Sequence, residues 1–232
     1  IRDIKLAKSG RQKIEWVKKY MPVLSMLEGE NKDKNPLAGL NITVCIHLEA
    51  KTAYLCEVLG ACGAKVTAAG SNPLSTQDDV VAALVEGGPE VFATHGCSEE
   101  EYYGYLEKAL DTKPDIIMDD GGDLVHMLHT QKRELIPRIK GASEETTTGV
   151  LRLKAMEKQG KLEIPVIPVN DAECKYMFDN RYGTGQSVWD GIMRTTNLIM
   201  AGKRVVIAGY GWCGKGAAQK ARGLGARVTV TE

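Results

Sequence analysis

The segment 204–232 constrains the fold more than any other part of the chain. An apolar stretch, RVVIAG, leads into a turn with Gly209, Gly211 and Gly214, followed by an amphipathic stretch, KGAAQKARGLG, and a second apolar run, ARVTVTE. In such a unit the first glycine permits a tight turn, the second lets a pyrophosphate approach the backbone, and the third allows close packing of helix on strand. The pattern predicts the start of a Rossmann domain.

A carboxylate at the end of the second run indicates which dinucleotide the turn would accept. Glu232 follows the turn by about 20 residues, where an acidic side chain can accept both ribose hydroxyls. Its charge repels a 2′-phosphate, so we expect NAD rather than NADP. A glycine-rich turn without a ligand is the alternative, and Trp212 and Cys213 inside the motif receive no role.

Upstream of this unit the chain alternates between apolar runs and amphipathic stretches, which predicts a parallel sheet with crossover helices. Ile4–Leu27 should form one or two helices before the first strand, and Thr76 should cap a helix that ends at Gly87. The strands are expected at 42–46, 64–68, 90–93, 115–118 and 164–169.

A further helix, expected at 187–200, precedes the C-terminal unit, so we place a domain boundary near residue 182. The expected fold class is α/β. A parallel-sheet substrate-binding domain, 1–181, is followed by a hinge and the first part of the NAD-binding Rossmann domain, 182–232.

Composition excludes several classes of function. Thirty Lys and Arg balance thirty Asp and Glu, which favours neither nucleic acid nor an anionic membrane as a partner. The six cysteines contain no C-x-x-C pair and are expected to be reduced thiols of a cytoplasmic protein. No stretch approaches about 18 uncharged apolar residues, so no membrane anchor is expected.

Three polar clusters punctuate the first domain: DDGGDL at 119–124, SEETTTGV at 143–150 and NDAECKYMFDNRYG at 170–183. Taken singly, the first is a metal loop or a solvated turn, the second is a helix start capped by Ser or Thr, and the third offers Lys175 and Asp179 as a surface ion pair. Open parallel sheets bind ligands beyond the carboxyl ends of their strands. The residues just after the predicted strands are His47, Thr94, Asp119, Asp120 and Asn170.

Together with the glycine turn, these clusters closely resemble the S-adenosylhomocysteine hydrolase family over nearly the whole chain. The matching stretches are STQDDVVAAL, DDGGDLVHMLH, GASEETTTGVLRL, VNDAECKYMFDN, RYGTGQSVWDGI and GYGWCGKGAAQKARGLGARVTVTE.

The resemblance implies a homotetrameric enzyme of the methyl cycle in one-carbon metabolism, in which a substrate domain and a tightly bound NAD act on a nucleoside thioether. Such enzymes oxidise the ribose 3′-hydroxyl, eliminate the thiol, add water and reduce the ketone again. The implied activity is reversible hydrolysis of S-adenosyl-L-homocysteine to adenosine and L-homocysteine. No metal is implied.

The resemblance also implies roles for particular residues. Lys175 and Asp179 would hold and deprotonate the 3′-hydroxyl, with the lysine amine as base, while Asp120 and His47 would handle protons and water near the 4′ and 5′ carbons. His47 alone is more typical of a structural histidine at a strand end, and only the family resemblance favours the catalytic role. Glu145 would bind the ribose hydroxyls, and Glu49, Lys51 and Thr52 belong to the segment that faces the base. The residues that would bridge toward the cofactor are Thr146, Thr147, Thr148 and Asn180.

Two parts of the chain depart from the family pattern. Better known members read His-Met-Thr-Val-Glu-Thr where this chain has His47-Leu-Glu49-Ala-Lys51-Thr52, so a basic side chain replaces an acidic one, and Thr184 stands where many carry cysteine. The first change opens an alternative substrate, S-inosyl-L-homocysteine, which would give inosine and homocysteine. The resemblance also implies that Glu232 lies inside the NAD-binding domain rather than at its end.

Three rival interpretations remain from the sequence. Another NAD dehydrogenase, such as a 2-hydroxy acid enzyme, would share the glycine turn and Glu232 but would not need SEETTTG or Lys175 with Asp179. A non-catalytic relative would have lost catalytic positions, all of which are present here. A purely structural fragment would not retain NAD on purification.

Overall fold

The computed structural model describes all 232 residues, which form two compact units, Ile1–Pro168 and Val169–Glu232. The division lies earlier than the boundary at 182 expected from the sequence. Residues 169–181 pack with the C-terminal unit, where the backbone oxygen of Arg181 lies so close to Gly216 that a Cβ there would approach within 1.8 Å.

A six-stranded parallel sheet forms the centre of the first unit, with strand order β3-β2-β1-β4-β5-β6. This is the doubly wound order, in which the chain builds outward from β1 in one direction and then from β4 in the other. The strands are β1 (Asn41–Ile46), β2 (Lys65–Gly70), β3 (Glu90–Phe92), β4 (Ile116–Asp119), β5 (Gly141–Glu144) and β6 (Val166–Pro168).

Helices cover both faces of this sheet. Three pack on one face, where Ile14, Tyr54 and Leu84 are fully buried, and three pack on the other, where Leu106 and Leu128 are fully buried. The helices are α1 (Ala7–Lys18), α2 (Pro22–Asn31), α3 (Ala50–Ala61), α4 (Asp78–Glu86), α5 (Glu99–Asp111), α6 (Asp123–Thr130) and α7 (Thr147–Lys158), with 3-10 turns at Ile4–Leu6 and Arg133–Arg138.

Because successive side chains of a strand point to opposite faces, each central strand supplies both halves of the core. In β1, Val44 belongs to the cluster beneath α1, α3 and α4, whereas Cys45 belongs to the cluster beneath α5, α6 and α7. Burial on both faces explains why the central strands read as continuous apolar runs rather than as alternating patterns.

Two local expectations were wrong. Residues 141–144 form β5, whereas the sequence predicted only a helix start in this region; pairing with β4 and β6 makes this small, polar segment a strand. Thr76 does not cap α4. It is buried and donates its hydroxyl to the carbonyl of Asn72, and Gln77 occupies the cap position.

The second unit contains a two-stranded parallel sheet and a long helical segment. Its strands are β7 (Arg204–Ala208) and β8 (Arg227–Thr231), joined by α10 (Trp212–Gly223). The helical segment begins with a 3-10 turn at Val169–Asp171 and α8 (Glu173–Lys175), continues as a π-helix (Tyr176–Gly183), and ends with α9 (Thr184–Thr196). Asn197 terminates α9 in the left-handed conformation, before the predicted end at residue 200.

All six cysteines are free thiols, and Cys45, Cys56 and Cys62 are buried. None of the helices combines the length and the apolar character that a membrane span requires.

Two helical glycines provide a matched test of the packing of α1 on α4. A Cβ on Gly10 would lie 1.9 Å from the carbonyl oxygen of Asp79, whereas a Cβ on Gly29 in α2 would meet nothing within 4 Å. We expect Gly10→Ala to lower the free energy of unfolding by about 1–3 kcal/mol through overpacking, and Gly29→Ala to raise it by about 0.5–1 kcal/mol through helix propensity. Denaturant titration of the complete protein measures both, and equal effects would contradict this packing.

Candidate active site

The site begins where the strand order reverses. β1 and β4 are neighbours in the sheet, but the connections that follow them leave in opposite directions, which opens a crevice at their carboxyl ends. His47 follows β1 and Asp120 follows β4, and the Nε2 of His47 lies 3.3 Å from the Oδ2 of Asp120. Two residues far apart in sequence therefore form one polar pair at the position where such sheets bind ligands.

Two serines that sequence reasoning missed complete this pair. Ser71 donates a 2.8 Å hydrogen bond to the Oδ2 of Asp120, and the Oγ of Ser75 lies 2.5 Å from the Nδ1 of His47. The Oγ of Ser75 also donates to the carbonyl of Asn72 at 3.1 Å, so it can accept a hydrogen bond from Nδ1–H of His47. Both serines follow β2, the strand beside β1, so the strand-end rule applied to β2 could have found them.

The two members of the pair differ in their access to solvent. The side chain of Asp120 is 7% exposed, whereas that of His47 is 50% exposed. An acid shielded from water and in contact with an accessible imidazole can pass a proton through that imidazole to the solvent side.

The remaining carboxylates of the DDGGD segment have separate partners. Asp119 is buried and accepts hydrogen bonds from the backbone amides of Asp120 and Val125, at 3.0 Å and 2.9 Å. Asp123 accepts from the hydroxyl of Tyr102 at 3.1 Å and from Arg152 at 2.7 Å. No group of three His, Cys, Asp or Glu side chains is arranged to hold a metal ion.

Burial perturbs the ionisation of several groups behind the crevice. It raises the pKa of the Asp119 carboxyl to about 7, and the neighbouring Glu144 carboxyl acts in the same direction. Burial likewise raises the pKa of Glu144 and that of the Tyr102 phenol. Desolvation favours the neutral form of each acid.

The SEETTTG segment turns directly from β5 into α7. Thr146 occupies the cap position of α7, as the sequence predicted, but its side chain forms no capping hydrogen bond. The carboxyl of Glu144 instead accepts the backbone amide of Thr146 at 2.9 Å. Glu145 and Thr146 are half-buried, and Thr147 and Thr148 are exposed at the start of the helix.

An apolar cavity of about 580 Å³ brings together three of the predicted substrate-binding residues, Lys51, Thr52 and Glu145. Half of its lining residues come from the cap residue and the start of α2, a helix to which sequence reasoning gave no functional role. The apolar lining consists of Met21, Pro22, Val23, Leu24, Leu27, Ile46 and Leu55.

Glu49, the third residue of the segment predicted to face the base, caps α3. Its Oε1 accepts the backbone amides of Lys51 and Thr52 at 3.0 Å and 3.2 Å, and its Oε2 lies 3.8 Å from the Nζ of Lys51. Two backbone hydrogen bonds hold this carboxylate at the helix start, whereas the side chain of Lys51 remains 64% exposed.

In the second unit, the predicted 3′-hydroxyl residues lie on the helical segment around the π-helix. Lys175 is the last residue of α8, and its Nζ donates to the Oδ1 of Asn170 at 2.9 Å. Asp179 lies inside the π-helix, where the amide of Thr184 bonds to the carbonyl of Asp179 five residues earlier. π-Helical turns are rare and are frequent at functional sites.

The glycine turn has the geometry that the motif predicts. Gly209 has a φ of 91°, and a Cβ on Gly214 would lie 2.2 Å from the oxygen of Gly209, so both positions require glycine. A Cβ on Gly211 would meet nothing within 4 Å, which leaves its face open. α10 begins at Trp212, earlier than expected, so the amides of its first turn face this opening.

Two further features fit a dinucleotide. Ala208 pairs with Thr231, so Glu232 emerges beside the glycine turn, as the ribose-binding position requires. The Oδ1 of Asn180 is buried without a hydrogen-bond partner, and the Nδ2 of the same residue lies 4.0 Å from the Sγ of Cys213 in the turn. An unpaired acceptor beside the turn suits a ligand that carries a donor.

Comparison with protein families agrees with this geometry. Residues 1–137 and 131–202 match the family described as S-adenosyl-L-homocysteine hydrolase, and residues 180–232 match its NAD binding domain. The chain belongs to the S-adenosyl-L-homocysteine hydrolase family. This result and the parallel sheet confirm the predicted family and fold class.

Individual members of the hydrolase family match all 232 residues of the chain. The chain is 60% identical to adenosylhomocysteinase of Pyrococcus abyssi and 59% identical to that of Thermococcus kodakarensis, and it covers 55% of each. It is 57% identical to S-inosyl-L-homocysteine hydrolase of Methanocaldococcus jannaschii, of which it covers 56%. The chain therefore spans about half the length of the curated relatives that it matches.

The raised pKa of Asp119 predicts a pH dependence of stability in this hydrolase family member. Below about pH 4 the carboxyl is protonated in both the folded and the unfolded states. As the pH rises toward 7, only the unfolded state loses the proton, so the free energy of unfolding falls, by at most about 1.4 kcal/mol per pH unit. Above about pH 7 the Asp119 carboxyl is ionised in both states, so its contribution to the free energy of unfolding no longer changes with pH.

Asp119→Asn removes this ionisation. Denaturant titrations of the complete protein between pH 4 and 7 should show a shallower decline in the variant than in the parent. Parallel curves would show that Asp119 does not titrate in this window.

Proposed function

We propose that the complete protein uses NAD to hydrolyse S-adenosyl-L-homocysteine reversibly to adenosine and L-homocysteine. The observation that carries this proposal is the cavity in which Lys51, Thr52 and Glu145 meet over an apolar wall. Apolar walls with a few convergent polar groups are typical of small-molecule sites, and its volume of about 580 Å³ suits a nucleoside. The two names carried by the relatives, adenosylhomocysteinase and S-inosyl-L-homocysteine hydrolase, support the same reaction class.

The chemistry explains why a hydrolase would need a redox cofactor. A thioether at an unactivated carbon is a poor leaving group, whereas loss of the thiol beta to a ketone passes through a stabilised enolate. Bound NAD would accept the hydride from the ribose 3′ carbon and return it at the end of each turnover.

The residues that the family resemblance assigns to the ribose lie on both units. Glu145, half-buried in the cavity wall, would accept hydrogen bonds from the ribose hydroxyls. Lys175 would hold the 3′-hydroxyl with Asp179 and remove its proton. The ordered contact of Lys175 with Asn170 supports a fixed position for the amine.

Asp120 and His47 would move protons and water at the 4′ and 5′ carbons. The contacts of Asp120 with Ser71 and His47 fix its carboxylate, and the exposed imidazole offers a route for protons. Thr146, Thr147, Thr148 and Asn180 would contact the cofactor, together with the glycine turn and Glu232.

The proposal includes assembly as a homotetramer, a place in the methyl cycle and a cytoplasmic location, all three carried by the family resemblance. Six free thiols support a reducing compartment.

The redox mechanism predicts reduction of bound NAD by substrate. Adding a nucleoside substrate to the complete protein should raise the absorbance of reduced nicotinamide, because the 3′ carbon is oxidised first. The matched 3′-deoxy nucleoside has no hydroxyl to oxidise and should give no rise. An equal rise with both compounds would exclude oxidation at the 3′ position.

The same assay tests the two residues assigned to the 3′-hydroxyl. Lys175→Ala and Asp179→Ala should each reduce the rate of nicotinamide reduction by about a hundredfold to ten-thousandfold, the usual range for a lost general base or its partner. Cofactor content and circular dichroism serve as controls for folding. Near-parental rates in either variant would assign that residue to a surface contact.

A specific observation favours S-inosyl-L-homocysteine as a second candidate substrate. Lys51 lines the cavity, whereas Glu49, the nearby carboxylate able to accept from an adenine amine, accepts backbone amides at the start of α3. Adenine presents a donor amine, whereas hypoxanthine presents a carbonyl oxygen that an ammonium group can satisfy. A site that leaves a buried polar group unpaired loses about 1–3 kcal/mol, which gives roughly tenfold to a hundredfold discrimination.

Lys51→Glu tests this preference. The parent should show the higher kcat/KM with the inosyl thioether, and the variant should shift preference toward the adenosyl thioether by at least tenfold. Lys8→Glu, the same charge change on the exposed face of α1, should leave the ratio unchanged. A parent that prefers the adenosyl compound, with no shift in the variant, would remove Lys51 from base recognition.

A further inference from the structure

Two carboxyl groups lie buried directly behind the predicted catalytic residues. Asp119 ends β4 and Glu144 ends β5, and the two are partners in the register of these parallel strands. Asp119 is 1% exposed and Glu144 is 0% exposed. The residues that follow them, Asp120 and Glu145, are the ones assigned to proton transfer and to ribose binding.

Glu144 joins the two loops that carry these residues. Its Oε1 accepts the amide of Gly121 at 2.9 Å and the amide of Thr146 at 2.9 Å. Gly121 belongs to the loop after β4, and Thr146 belongs to the loop after β5. A single oxygen atom therefore fixes the distance between both loops.

Asp119 reinforces this connection from the neighbouring strand. Its two oxygens accept the amides of Asp120 and Val125, and its backbone oxygen accepts the amide of Glu145 at 2.9 Å. Atoms of β4 and β5 thus hold the backbone on either side of Asp120 and Glu145.

The loops close tightly around the Glu144 carboxyl. A Cβ on Gly149 would lie 2.2 Å from the Cδ of Glu144, and Gly122 has a φ of 77°. The Oε2 of Glu144 is buried and forms no hydrogen bond. Burial raises the pKa of the Glu144 carboxyl, which shifts its ionisation toward the neutral acid.

We propose that Glu144, supported by Asp119, is a positioning residue for the reaction: by accepting hydrogen bonds from both, it holds the loop that carries Asp120 and the loop that carries Glu145 in register. The activity part of this inference rests on the proposed function. Displacement of reacting groups by about 1 Å can cost a hundredfold in rate. The side chain of Glu144 itself contacts backbone amides rather than substrate.

The test compares Glu144→Gln with Glu144→Ala in the complete protein. The glutamine amide oxygen can accept the same two amides, so Glu144→Gln should keep kcat within about threefold of the parent. Glu144→Ala should lower kcat by at least tenfold with cofactor content retained. Glu57→Ala, which breaks the contact of Glu57 with Arg11 elsewhere in the unit, should leave kcat and KM unchanged.

Amide hydrogen exchange supplies a readout that does not depend on activity. The peptides containing Gly121 and Thr146 should exchange faster in Glu144→Ala than in the parent, and at the parental rate in Glu144→Gln. If Glu144→Ala does not fold, Glu144→Gln still tests the inference. Loss of nearly all kcat in a folded Glu144→Gln protein would mean that the charge of Glu144 is required.

Parental kcat and parental exchange in Glu144→Ala would overturn the inference, as would a folded Glu144→Gln protein that is inactive. A parent protein without hydrolase activity would instead overturn the proposed function, and the exchange data would still test the loop contacts.

Discussion

The reversal of strand order between β1 and β4 is the constraint on which the rest of the first unit depends. Neighbouring parallel strands whose connections diverge leave their carboxyl ends uncovered, so side chains that follow them meet without competition from the crossover helices. The contact between His47 and Asp120 follows from this arrangement. The same divergence lets Ser71 and Ser75, at the end of β2, reach the pair from the side.

Sequence patterns predicted the elements whose signal is local. Apolar runs located five of the six strands, and the glycine turn located β7, α10 and β8, because burial on both faces and tight turns each impose a residue type at each position. β5 was missed because Gly141-Ala-Ser-Glu carries no apolar run, and its strand conformation depends on β4 and β6 on either side. The compact units divide after Pro168, earlier than the domain boundary predicted near 182, because residues 169–181 pack with the C-terminal unit. The match to the NAD binding domain begins at residue 180.

The residues of the candidate site also fall into those that the sequence predicted and those that it missed. Residue types that carry the chemistry were predicted through the resemblance to a family, since carboxylates, lysine and histidine are visible in the sequence itself. Their partners were not, because the contacts of Ser75 with His47 and of Glu144 with Gly121 join segments that only folding brings together. The apolar wall from α2 was missed for a different reason: Met21, Leu24 and Leu27 read as ordinary core positions of a helix, and only their place in the cavity distinguishes them.

The two units differ in whether side chains accept the backbone amides at the helix starts that follow their strands. This difference matches the proposed ligands. In the first unit, carboxyls of the protein accept amides at the starts of α6 and α7, where Asp119 accepts from Val125 and Glu144 from Thr146. In the second, no side chain caps α10. A helix start attracts anions through its free amides and its dipole, so capped starts suit an uncharged nucleoside, and the open start suits a pyrophosphate. The buried acids of the first unit thus remove an anion site where the proposed substrate has no phosphate, and they fix the loops that carry the residues proposed to contact its ribose.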